Sequence, residues 1–127
     1  MTIKRYGTPK AGGLPFAKAA GAEGWLYVSG QVPRGCDGQI VPGNMRTQAQ
    51  LTLNNLKEVL ESSGYSLKDV VRVGVWLEDP RDLNEFNLVY KNFFTAEHAP
   101  ARVAVQAMMM SDFRVEVDCI AYKTDEI

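Results

Sequence analysis

Arg102, in Pro100-Ala101-Arg102, and Glu116, in Val115-Glu116-Val117, carry side chains whose types could do chemistry, though from these strings alone an ion pair across a sheet is the commoner fate of such an arginine. A planar guanidinium donates two parallel hydrogen bonds to a carboxylate, a geometry that lysine does not reproduce. Pro100 restricts Ala99 to extended backbone and so helps to fix the entry into the segment that carries Arg102. A carboxylate in a partly desolvated cleft can work as an acid or base near neutral pH. Each residue also has a plainer fate: Arg102 can pair with an acid across a sheet, and Glu116 can neutralise Arg102 or Arg114. Ser29 and Asn87 can hydrogen-bond substrate or water, or can satisfy a turn and a helix-to-loop contact.

Other chemistries find little in the chain. Cys36 and Cys119 lie far apart with no CxxC pairing, and His98 is the single histidine, so neither a zinc site nor a disulfide framework is expected, and no metal or cofactor is assigned. Buried on a strand, Cys119 would act as a small hydrophobe, and His98, in a helix-ending loop, is given no role. Fourteen basic residues against fifteen acidic ones leave a net charge of −1, which provides no broad electropositive field for nucleic acid. The opening MTIKRYGTPKAGG lacks the apolar run of a signal peptide, and no stretch of about eighteen apolar residues occurs. A soluble, cytoplasmic protein of one domain, residues 1–127, follows as the expectation; 46% hydrophobic residues suffice for one core.

The elements that must position these side chains can be read from periodicity. Residues 17–31 read as a hairpin, with WLYVSGQ as its second strand and Gly21 and Gly24 as turn residues, and residues 31–43 as a surface loop. Asn44 caps a helix whose Met45, Ala49, Leu53, Leu56 and Leu60 share a face, and Gly64 ends it. From Val70 to Glu78 the period is two, with Val71, Val73, Val75 and Leu77 on one side. Asp82 and Glu85 resemble a capping pair for a second helix bearing Leu83, Phe86, Tyr90 and Phe93. Two alternating strands follow, with Val103, Val105 and Ala107 on one face of the first and Val115, Val117, Cys119 and Ala121 on one face of the second. With a further strand at Ile3 to Tyr6, the order predicts an α+β layer of two helices on one sheet. Two helices cover only one face. The other is expected to carry Trp76, Arg102, Ala104, Gln106, Glu116 and Ile120 and to be buried against a second subunit.

The strings YVSGQVP, QAQLTLNNLKEVLESSG, LKDVV, FNLVYKNFF, PAR and VEVDCIA, in this order and spacing over nearly the whole chain, resemble the RidA/YjgF family. The resemblance implies a chorismate-mutase-like fold, one mixed sheet with two helices packed on one face, in a barrel-like homotrimer with clefts between subunits. It further implies a deaminase that hydrolyses small 2-imino or enamino acids to keto acids and ammonia. Arg102 matches the family arginine that receives the substrate carboxylate, Glu116 the glutamate that holds or activates water, and Ser29 and Asn87 two positions lining the cleft. Phe16 stands where many members carry a tyrosine, so that hydroxyl is absent while the ring remains to line the substrate site. Ala104 stands where many have cysteine, and Met108-Met109-Met110 replaces a leucine-proline turn; core filling is expected of these methionines, with reshaping of the cleft as the alternative. A pathway-specific deaminase or isomerase of a larger unsaturated amino acid, and a non-catalytic module sensing small carboxylates, remain as alternatives. A ribonuclease role, also described for some relatives, finds little physical support in one histidine, no basic stripe and a net charge of −1.

Overall fold

A computed structural model describes residues 2–9, 11 and 13–124. Strand β1 (Lys4–Tyr6) leads through a loop to β2 (Ala19–Ala22) and β3 (Trp25–Gln31). These last two form a hairpin closed by Glu23 and Gly24, both at positive φ (55° and 89°), the two-residue turn whose twist matches that of the strands. Next comes α1 (Met45–Ser62), where the Asn44 side chain accepts from the Thr47 amide at 3.0 Å. Gly64 at φ +88° turns the chain out of the helix. Ala49, Leu53, Leu56 and Leu60 are fully buried along one stripe of α1, and each leucine contributes about 1.5–3 kcal/mol by leaving water.

After α1 come β4 (Val70–Leu77), α2 (Leu83–Tyr90), β5 (Ala101–Gln106) and β6 (Val115–Tyr122). The sheet order is β1-β2-β3-β6-β4-β5. Every neighbouring pair is antiparallel except β4 and β5, which the α2 crossover makes parallel and which leaves β5 at an open edge. The two helices lie on one face, over Leu26, Val28, Val73, Val75, Val115, Val117, Cys119 and Ala121, all buried.

Three local expectations are corrected. Val71 is 44% exposed, because the β4–β6 register shifts between Val70 and Arg72 and sends Val70 inward in its place. Asp82 makes no side-chain cap; Asp79 instead caps a short 3-10 turn by accepting from the Arg81 amide at 2.9 Å, and Glu85 pairs with Arg46 at 3.1 Å. The second helix stops at Tyr90, so Phe93 lies in the turn after it. The larger correction concerns β5. Arg102 is in register with Val73 and Ala104 with Val75, so Arg102, Ala104 and Gln106 face the helices, while Val103 and Val105 share the open face with Trp76. Val103 and Val105 were expected in the core; on the edge strand they remain 42% and 44% exposed. Glu116 and Ile120 lie on the open face as expected, opposite Trp76 and Arg72.

Candidate functional site

Arg102 sits at the edge of the sheet with its guanidinium laid over α2. Its Cζ is 4.6 Å from the centre of the Tyr90 ring and 5.8 Å from that of Phe86. The aromatic rings form a ladder along α2 and the turn after it, Phe86 to Tyr90 at 5.6 Å and Tyr90 to Phe94 at 4.8 Å, which fixes the platform. Stacking uses the face of a guanidinium and leaves the N–H groups along its rim to donate in the plane. No described carboxylate forms a salt bridge with Arg102. Burial pushes the Tyr90 phenol up to about 12, against the opposing pull of the Arg102 charge, so the platform stays neutral beneath the cation. Asn87 lies on α2 between Phe86 and Tyr90, and its Oδ1 is buried without a hydrogen-bond partner among the described residues.

The other expected residues gather around β3 and β6. The Ser29 hydroxyl donates to the Ala17 carbonyl at 2.7 Å and its amide to Lys18 at 2.9 Å, which pins the segment carrying Phe16 to β3. A cavity of about 330 Å³ opens there, lined by Arg5, Phe16, Tyr27 and Ser29 among others. Phe16 is 50% exposed. Beside Ser29, Gly30 leaves room for the Glu116 carboxylate: a Cβ on Gly30 would collide with Oε2 and come within 3.0 Å of Cδ. Glu116 pairs with neither Arg102 nor Arg114; Arg114 is engaged by the Gly43 carbonyl at 3.0 Å and by Asp82 at 3.7 Å. Burial, and then the negative charge of Asp118 two residues on, raise the Glu116 carboxyl above its ordinary range.

The chain therefore presents two groups of candidate residues that do not meet. Arg102, with Asn87 and the aromatic platform, lies on the helix face at one edge; Glu116 lies on the opposite face with β4 between, about 10 Å away in strand spacings alone. Tyr90 and Asp118 were not singled out in the sequence, although the four-residue spacing of Phe86, Tyr90 and Phe94 and the alternation in VEVDC place both. Met108 and Met110 are 89% and 91% exposed, directly after β5, so they do not fill the core as expected. Cys119 is buried and its thiol pushed up to about 12 by burial, which makes it inert.

A mixed sheet with two helices on one face, an arginine on its edge strand that makes no salt bridge among the described residues, and a raised carboxyl on its open face define an α+β protein with two separate groups of polar side chains. Residues 9–123 match the family model described as Endoribonuclease L-PSP, and the chain belongs to that family, the YjgF/RidA proteins. A RutC family protein of Pyrococcus horikoshii is 41% identical over 111 residues, covering 86% of this chain and 87% of the relative. A mouse protein named 2-iminobutanoate/2-iminopropanoate deaminase is 38% identical over 111 residues, 84% of this chain and 80% of its own. The crystal structure of E. coli TdcF with bound serine superposes with a TM-score of 0.80 at 30% identity, covering 94% of both chains. Yeast Mmf1 gives 0.85 at 30% identity, covering 97% of this chain and all of the other. Among the described residues no helix is long and apolar enough to cross a membrane.

Proposed function

We propose that this protein is a hydrolytic deaminase of small 2-imino or enamino acids, and that each active site is completed by two copies of the chain in a homotrimer. The observation that carries this reading is the separation just described: Arg102 is held on an open edge with no salt bridge among the described residues, while Glu116 and Ser29 lie on another surface. A neighbour that covers the β5 edge with its Ser29–Glu116 surface would bring a carboxylate-binding arginine and a proton-accepting glutamate to one small molecule. The apolar character of the open face supports such assembly, since Val103, Val105 and Tyr27 are 42%, 44% and 56% exposed, and an unpaired strand edge favours cover. The mouse relative's name supports the chemistry.

In this reading Arg102 receives the substrate carboxylate and Asn87 faces the imine end. Glu116 takes a proton from water as its oxygen bonds to the imine carbon and passes that proton to nitrogen, giving a carbinolamine; it then takes the hydroxyl proton and delivers it to nitrogen as the C–N bond breaks, so that the C=O bond forms and ammonia leaves. A carboxyl raised above its ordinary range holds a taken proton more readily than an ordinary carboxylate before passing it on. Phe16 supplies an apolar wall to the neighbouring cavity rather than a hydrogen bond. Cleavage of nucleic acid, which the family description names, would require a phosphate-binding stripe; here 14 basic residues are balanced by 15 acidic ones. The test is steady-state hydrolysis of imino acids released in situ by an amino-acid oxidase, with Arg102→Ala as control. Acceleration by the wild type alone supports the assignment; binding of small carboxylates without turnover of any imino acid would replace it with a sensing role.

A further inference from the structure

Alongside Arg102 on the helix face of β5 run Ala104 and Gln106, and they end at a second, smaller cavity. It holds about 70 Å³ between the tops of β4 and β5 and the start of α2, with Leu77, Pro80, Leu83, Ala104 and Gln106 in its wall. The topology makes this a groove with two unlike ends. Because α2 runs antiparallel to β5, Tyr90 and Phe86 lie beside Arg102, and Leu83 lies one turn beyond Phe86, about 4.5 Å further along the axis. On the strand side Ala104 follows Arg102 by two residues, about 6.6 Å, on the same face. The floor between them carries a methyl group and no charge.

From this geometry we infer that the groove is a side-chain subsite: a 2-imino acid held by its carboxylate at Arg102 lays an unbranched aliphatic side chain over Ala104 into the pocket at Leu77 and Leu83. The inference rests on the proposed role of Arg102 and extends it to substrate choice. The occupant's length follows from the volume. A cavity of about 70 Å³ accepts roughly two to three groups of water or methylene size, at about 30 Å³ each. The preferred substrates are therefore the imino acids of norvaline- or norleucine-like chains rather than the two- and three-carbon acids that leave the pocket empty. The small Ala104 is the specificity-determining residue, because any larger side chain there would stand in the groove.

Saturated carboxylates probe the subsite without chemistry. Propanoate, butanoate, pentanoate and hexanoate titrated into the intact oligomer, followed by NMR or calorimetry, should bind about fourfold more tightly with each methylene, until the pocket is full. Ala104→Leu should flatten the series, and Leu83→Ala should carry the gain to a longer chain, which keeps the test open if the first variant fails to fold. Equal affinity for propanoate and hexanoate, or a slope untouched by both variants, would overturn the subsite. Imino-acid hydrolysis on the same samples separates the two readings: turnover without chain-length dependence removes the subsite and leaves the deaminase, whereas a carboxylate series with no turnover leaves the subsite and removes the deaminase.

Discussion

Gly30→Ala would disturb Glu116 without touching its chemistry. Gly30 does not sit at positive φ, so alanine is tolerated by the backbone, and the three atoms nearest to the new methyl group among the described residues all belong to the Glu116 side chain. To reach ordinary contact at about 3.4 Å from the methyl carbon, Oε2 must retreat by about 1.4 Å, and a reacting group misplaced by about 1 Å already costs on the order of 100-fold in rate, or about 2.7 kcal/mol. The obstructing atoms belong to the end of a half-buried, flexible side chain, so the fold has little to lose. Steady-state imine hydrolysis should therefore show kcat reduced roughly 100-fold, with the Kd for a saturated carboxylate changed by less than about threefold because Arg102 is undisturbed. Thermal unfolding should stay within a few degrees of the wild type. A variant that retains kcat within threefold would refute the assignment of Glu116 as the group that moves the proton.

Further outcomes follow from the same geometry. Glu116→Gln should abolish hydrolysis and yet be at least as stable as the wild type at pH 7. The folded carboxyl titrates above its ordinary 4.5, so ionisation erodes native stability as pH rises from 4.5 through the folded value, and denaturant titrations of the two proteins should converge below that window. Asp118→Asn removes a charge that raises Glu116, and should move the acidic limb of the pH–rate profile to lower pH while burial keeps it above the ordinary value. Arg102→Lys retains the charge but loses the paired, stacked donors, and should weaken carboxylate binding about 10- to 100-fold by calorimetry. Asn44→Ala removes the cap of α1 and should cost about 1 kcal/mol, lowering the melting temperature by about 4 °C, with no effect on Kd.

The elements that obey one strong period were legible in the sequence. The α1 stripe, its Asn44 and Gly64 ends, and the alternation of β6 stand as read, because each depends on neighbours a few residues away. What periodicity cannot assign is the direction of a strand whose two faces are alike. In β5 both Val103–Val105 and Ala104 are apolar, so alternation alone does not say which set faces the core. The parallel pairing to β4 puts the valines outside and turns Arg102 onto the aromatic platform of α2. The bulge at Val71 is invisible for a related reason: one extra residue shifts the pattern without changing composition. The site residues were named individually, but their division between two surfaces emerges only from sheet order, since Arg102 and Glu116 are close in sequence and separated by β4 in space. Met108 and Met110 follow that same edge strand and are exposed, which their apolar type alone does not reveal.

The central claim is a site shared between copies, and mixing two inactive variants tests it. Arg102→Ala keeps Glu116, and Glu116→Gln keeps Arg102; neither protein alone should hydrolyse imino acids. Unfolded together in equal amounts and refolded at random into trimers, they place an intact Arg102 against a neighbour's intact Glu116 at about a quarter of all sites. The mixture should therefore recover about a quarter of the wild-type rate, while separately refolded samples stay inactive. A mixture as inactive as its components, with trimers formed, would contradict a site built from two chains.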